Sequence, residues 1–156
     1  MNKLLLPGYN IFGDDIMKYE LEQQIYKDSN MSIYSLTKLL EDLKEKDNKI
    51  KGVIKDIIKG YERYKKDSQK VLTDNKIELS KLGVMPKMGV SMGIKTHVKD
   101  DNSDSAMAKM LIEGISMGSL DIKKYLNENG KDVDIALAKD FYQFQNEVID
   151  SLKKFL

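Results

Sequence analysis

IKGVIKDIIKGYERYKKDSQKVL, residues 50–72, sets Ile50, Val53, Ile54, Ile57, Ile58, Tyr61 and Tyr64 three and four positions apart, and Val71 and Leu72 continue the row. In an α-helix that spacing stacks side chains on one face, because each turn takes about 3.6 residues. The opposite face carries Lys51, Lys55, Lys59, Arg63, Lys66 and Lys70. Asp56, Glu62 and Asp67 interrupt its field, so this stripe reads as a solvated outer face and not as a polyanion contact. An apolar row of this length must be covered by other elements, and the rest of the chain supplies helices to cover it.

Upstream, Tyr19, Tyr26, Ile33, Leu36, Leu40 and Leu43 predict a helix over about residues 14–46, with Asp14 or Asp15 as its N-cap. The short polar link Asp47-Asn48 makes these two helices antiparallel neighbours. Downstream, Ser103-Asp104-Ser105 supplies caps for a helix over about residues 104–129. Its apolar set is Met107, Met110, Leu111, Ile115, Met117, Ile122, Tyr125 and Leu126. Gly130 ends it and Asp132 can cap a last helix, through which Leu137, Phe141, Phe144, Val148, Leu152 and Phe155 form a core seam.

The connector between the second and third long helices carries two conflicting signals. Met88, Val90, Met92, Ile94, Thr96 and Val98 occupy every even position, an alternation typical of a strand. A lone strand lacks a ladder partner, however, and Pro86 suits the first turn of a helix. A short helix from Pro86 to about Lys99 is the favoured reading.

Composition excludes several functions. With 156 residues the chain fits one domain, expected to span residues 14–156 behind an apolar N-terminal arm, residues 1–13. The net charge of +1 provides no global attraction for nucleic acid or an anionic membrane, so neither is expected as a partner. Arg63 is the only arginine, which weighs against bidentate phosphate or guanine recognition. Without cysteine there are no disulfides, thiolate metal sites or thiol catalysis. The run Leu4-Leu5-Leu6 is too short for a secretory signal, and no stretch approaches a membrane span, so a cytoplasmic protein is expected.

Two phrases match the G-x-S-x-G pattern of hydrolase nucleophiles: GVSMG at residues 89–93 and GISMG at residues 114–118. A nucleophile elbow needs a strand turning sharply into a helix, followed by an acid and then a histidine. GISMG lies within a helical pattern, and His97, the only histidine, precedes Ser116 and follows Ser91 by only six residues. The glycines are the better clue. Gly114 and Gly118 stand one helical turn apart and each costs about 1 kcal/mol of helix propensity relative to alanine, so a packing reason is expected. Gly114, Met117 and Gly118, with Leu4, Leu5, Leu6 and Phe12 of the arm, are the candidate residues for close helix packing or an interface. Met85, Met88, Met92, Met107, Met110 and Met117 are read as core filling.

The run Ser103–Asp121, with its S-x-S start, A-x-M-L-I-E-G, S-M-G and Asp121, resembles a group of small, uncharacterised bacterial ferritin-like proteins, and the likeness extends over about residues 16–156. The resemblance implies a four-helix bundle with one long crossover, here the connector over residues 82–102, and a di-iron centre. Glu20, Glu62, Glu113 and Glu147 fall one to each long helix, but Lys65 and Asp150 stand where Glu-x-x-His would need histidine. No cofactor or metal is therefore expected. The expected role is a non-catalytic structural or interaction protein, a homodimer, and the alternative is a carboxylate-based metal-binding or redox protein among those four glutamates.

Overall fold

The computed structural model describes residues 19–129 and 135–156. Five helices occupy them: α1 (Glu20–Asp42), α2 (Ile50–Asp74), α3 (Val84–Asp100), α4 (Asp104–Asn129) and α5 (Ala136–Lys153). No strand occurs among the described residues. The apolar arm with Leu4, Leu5, Leu6 and Phe12 lies outside them, as do the expected boundary residues Gly130 and Asp132.

Side-chain contacts fix the direction of each helix. The Tyr19 hydroxyl donates to Asn75 Oδ1 at 2.8 Å, joining the start of α1 to the end of α2, so this pair is antiparallel. Asp104, at the start of α4, accepts from Asn48 Nδ2 (2.9 Å), Lys49 N (3.1 Å) and Ile50 N (3.4 Å), at the start of α2. The far end of α4 returns to the start of α1, where the Tyr125 hydroxyl donates to Glu20 Oε2 at 3.1 Å. Helices α2 and α4 therefore run the same way. Gly60 meets Phe144 and Tyr64 meets Asp140, so α5 runs against α2. The four long helices run up, down, down and up, and α3 is the connection that carries the chain back between the two parallel ones.

The core cluster draws on all five helices, with Tyr61, Phe141, Leu36, Leu39, Ile54 and Met107 fully buried near its centre. The stripe expected for α1 is displaced by part of a turn. Leu21, Ile25, Leu36, Leu39 and Leu43 are buried, whereas Tyr26, Ile33 and Leu40 are half-buried. A broad apolar face offers two adjacent rows at helical spacing, and contact with the neighbouring helices selects between them. The reading of α2 holds closely: Ile50, Ile54, Ile57, Tyr61, Tyr64 and Leu72 are all buried. It ends in a Schellman turn, with Ile77 N donating to Leu72 O at 2.9 Å and Lys76 N to Thr73 O at 3.1 Å. Lys76, at φ 59°, takes the left-handed position that glycine usually fills.

The connector is helical, as favoured from Pro86. Its alternation hides a helical set, because Val90, Ile94 and Val98 are also four residues apart, and they face the core. Met88 and Met92 share the same spacing on an outer face.

Candidate functional site

Between α1, α2, α4 and α5 lies a cavity of about 190 Å³ with an unusual concentration of polar groups for a bundle interior. Each of these four helices contributes to its wall. From α1 come Asp28 and Ser32, from α2 Tyr61, from α4 Gly118 and Asp121, and from α5 Gln145. Tyr61 and Gln145 are 0% and 1% exposed. The Tyr61 ring is held edge-on by Phe141 and Phe144, with centroids 6.0 and 5.1 Å away, so its hydroxyl has a fixed position.

The hydrogen bonding here is incomplete. Asp28 Oδ1 accepts from Gln24 Nε2 at 2.8 Å, yet Asp28 Oδ2 meets no donor among the described residues. The Tyr61 hydroxyl has Ser32 and Gln145 beside it without a well-formed bond, and Gln145 Oε1 is also unpartnered. A buried polar group left without a partner costs about 1–3 kcal/mol, so three around one small cavity need a reason. Burial is the first cause that pushes the Asp28 carboxyl up to about 6; the nearby Asp121 carboxylate adds to it, while the Gln24 hydrogen bond and Lys27 act the other way. Burial likewise raises the Tyr61 hydroxyl to about 12.

The two glycines of GISMG, expected to form a close-packing notch, have different surroundings. At Gly118 an added Cβ would sit 3.4 Å from Gln145 Nε2 and 3.5 Å from Asp28 Oδ2, in ordinary van der Waals contact with two polar side chains. At Gly114 it would meet nothing within 4 Å, which corrects the expectation of close packing there within this chain. Gly114 instead borders two spaces at once. It lines the polar cavity and also an apolar cleft of about 330 Å³ between α1, α3 and α4, and Met31, Ser32 and Ile115 are shared by both walls. Leu36, Val90, Ile94, Met110 and Leu111 form the apolar lining of the cleft, and His97 lies on it as well. The close approach predicted for a glycine occurs at Gly60, where an added Cβ would fall 2.3 Å from the Phe144 ring.

Other candidate residues disperse. Ser91 and Ser116 both lie inside helices, α3 and α4, so neither sits at a strand-to-helix elbow. Glu20, Glu62, Glu113 and Glu147 are all exposed, and no group of three or more acidic or histidine side chains suited to a metal occurs among the described residues. Arg63 is a tie between helices: its Nη2 donates to Asp140 Oδ2 at 3.1 Å, the same oxygen that accepts from the Tyr64 hydroxyl at 2.9 Å.

The methionines correct the core-filling expectation. Met107 is buried and Met110 half-buried, but Met85, Met88 and Met92 on α3 are exposed, as is Met117 on α4 beside an exposed Leu120. With Val84, the α3 residues make an apolar outer face whose exposure runs from 58% at Met88 to 83% at Met85. No described helix is long and apolar enough to cross a membrane. No protein-family model matches the chain, and neither a curated protein nor a solved structure matches it.

Proposed function

We propose that this chain is a non-catalytic interaction protein of the ferritin-like helical type, which closes on a second copy of itself through the outer face of α3. The observation that carries this reading is the row Val84, Met85, Met88 and Met92, more than half exposed on consecutive turns of one helix. Burying apolar area contributes about 25 cal/mol per Å², and contiguous apolar surface on a small chain marks a contact region. Methionine is suited to that use because its flexible, polarizable side chain adapts to an opposing surface. A two-fold pair would lay the same row against itself, and a net charge of +1 opposes such contact little. Met117 and Leu120 on α4, and the arm with Leu4, Leu5, Leu6 and Phe12, are further apolar surface for the same purpose. The up, down, down, up course of the long helices, with α3 as crossover, supports the ferritin-like connectivity. The scattered glutamates give no support to its iron chemistry.

Light scattering on the size-exclusion peak tests the reading. The intact chain is expected at twice its 17.9 kDa mass, and a Met88→Lys, Met92→Lys double variant at the monomer mass with an unchanged helical signal. An intact chain that stays monomeric at all concentrations, or a double variant that stays dimeric, overturns the proposal.

A further inference from the structure

The polar cavity and the apolar cleft meet at Gly114, and they differ in chemistry as the two ends of an amphipathic molecule do. We propose that together they form one binding site for a small amphipathic primary amine, with the ammonium among Asp28, Tyr61 and Gln145 and the apolar chain in the cleft.

The head group follows from which atoms lack partners. Asp28 Oδ2, the Tyr61 hydroxyl oxygen and Gln145 Oε1 are all able to accept, and none receives a well-formed hydrogen bond from a described residue, although Ser32 and Gln145 lie beside the Tyr61 hydroxyl. An ammonium group is the complement: three donors and no acceptor. Charge points the same way. Asp28 and Asp121 both line the cavity, and no lysine or arginine lines either space. A carboxylate ligand would face two like charges there, and an alcohol would satisfy one acceptor of three. A divalent cation needs six or more oxygens or a set of charged ligands, and the described residues provide no such cluster. The raised Asp28 carboxyl fits a site that gains a cation, since a positive charge beside it would stabilise its ionised form.

The tail follows from the second space. About 330 Å³ walled by Leu36, Val90, Ile94, Met110, Leu111 and Ile115 lies within the size range of small-molecule sites. Gly114 lines both spaces, and a side chain added there would project into clear space beside them.

The test is a titration of the intact chain at neutral pH with n-octylamine, n-octanol and octanoate, followed by calorimetry and by amide chemical shifts. Octylamine is expected to bind saturably and at least about tenfold tighter than octanol, with octanoate weakest. Asp28→Asn, which keeps the acceptor for Gln24, should weaken octylamine about tenfold and leave octanol unchanged. Gly114→Leu should weaken both. Saturable octylamine binding that is insensitive to Asp28→Asn would mean adventitious attraction to the acidic surface and overturn the proposal. So would octanoate binding as tight as octylamine, or no saturable binding of any of the three. The oligomeric state enters none of these outcomes, so the inference stands or falls apart from the proposed self-association.

Discussion

Gly60 and Gly114 are both glycines in the interior of a long amphipathic helix, and the molecule uses them in opposite ways. At Gly60 the missing side chain is occupied by a neighbour: the Phe144 ring lies where a Cβ would be, in a group of four rings with Tyr61, Tyr64 and Phe141. At Gly114 the missing side chain is left as space, open to a polar cavity on one side and an apolar cleft on the other. The first region is closed, and the Tyr64 and Arg63 contacts to Asp140 tie the same two helices further. The second contains unpartnered buried oxygens. One seam of the bundle is closed tightly while another is left open.

The sharpest break of this comparison is to add a methyl group on each side. Gly60→Ala places a Cβ 2.3 Å from a ring that three other rings confine. Overpacking of this kind costs about 1–3 kcal/mol, against a gain of about 1 kcal/mol in helix propensity. A net loss of up to about 2 kcal/mol is expected from urea unfolding, partly recovered in Gly60→Ala, Phe144→Leu. A stabilised Gly60→Ala would show that the rings move aside freely.

Asp28 gives the next largest effect, and it depends on pH. Below about pH 4 the carboxyl is protonated in both folded and unfolded chains, so it adds no pH dependence. Between the ordinary value of 3.8 and about 6 the folded protein retains a proton that the unfolded chain has lost, so stability falls as pH rises through this window. Above about 6 the charge is present in both states and the penalty of burying it near Asp121 is constant. Asp28→Asn should therefore raise stability at pH 7 by on the order of 1 kcal/mol and flatten the slope between pH 4 and 6. Parallel stability curves for the two proteins over that window would contradict the burial of this carboxyl.

The smallest effect is the mirror of the first. Gly114→Ala meets no atom within 4 Å and should stabilise the fold by about 0.5–1 kcal/mol, through helix propensity and the narrower unfolded ensemble. Thermal unfolding of the single variant is sufficient to see the sign. Destabilisation would mean that the opening is not there.

Much of the fold was legible because it is local. Stripes at three and four residues mark α2 and α5, and Ser103 accepts from Ala106 N at 3.1 Å, as its position before an apolar run implies. The candidate site was less legible. Asp28 and Ser32 on α1, Tyr61 on α2 and Gln145 on α5 come from helices distant in the chain and belong to no motif, and Gln145 falls in the middle of an apolar seam where a sequence pattern gives it no role. The only signal for the site was the GISMG pair. It marked a position of low bulk on α4 and left unsettled whether a neighbour or a space would occupy it.

The sequence by itself determined that the four long segments are helices, where the N-terminal cap of α4 falls and which reactions lack their residues, since each of those depends on neighbours within a turn or on composition. The tertiary structure alone decided which of two adjacent apolar rows on α1 is buried, and that the start of α2 is capped by Asp104 rather than by its own Asp47 or Asn48. It alone decided that Gly60 is filled, that Gly114 is open and that the methionines of α3 face outward. The physical reason is the same in each case. An added methyl, an unpaired oxygen or an exposed thioether has an energy only once helices distant in the chain are placed beside it.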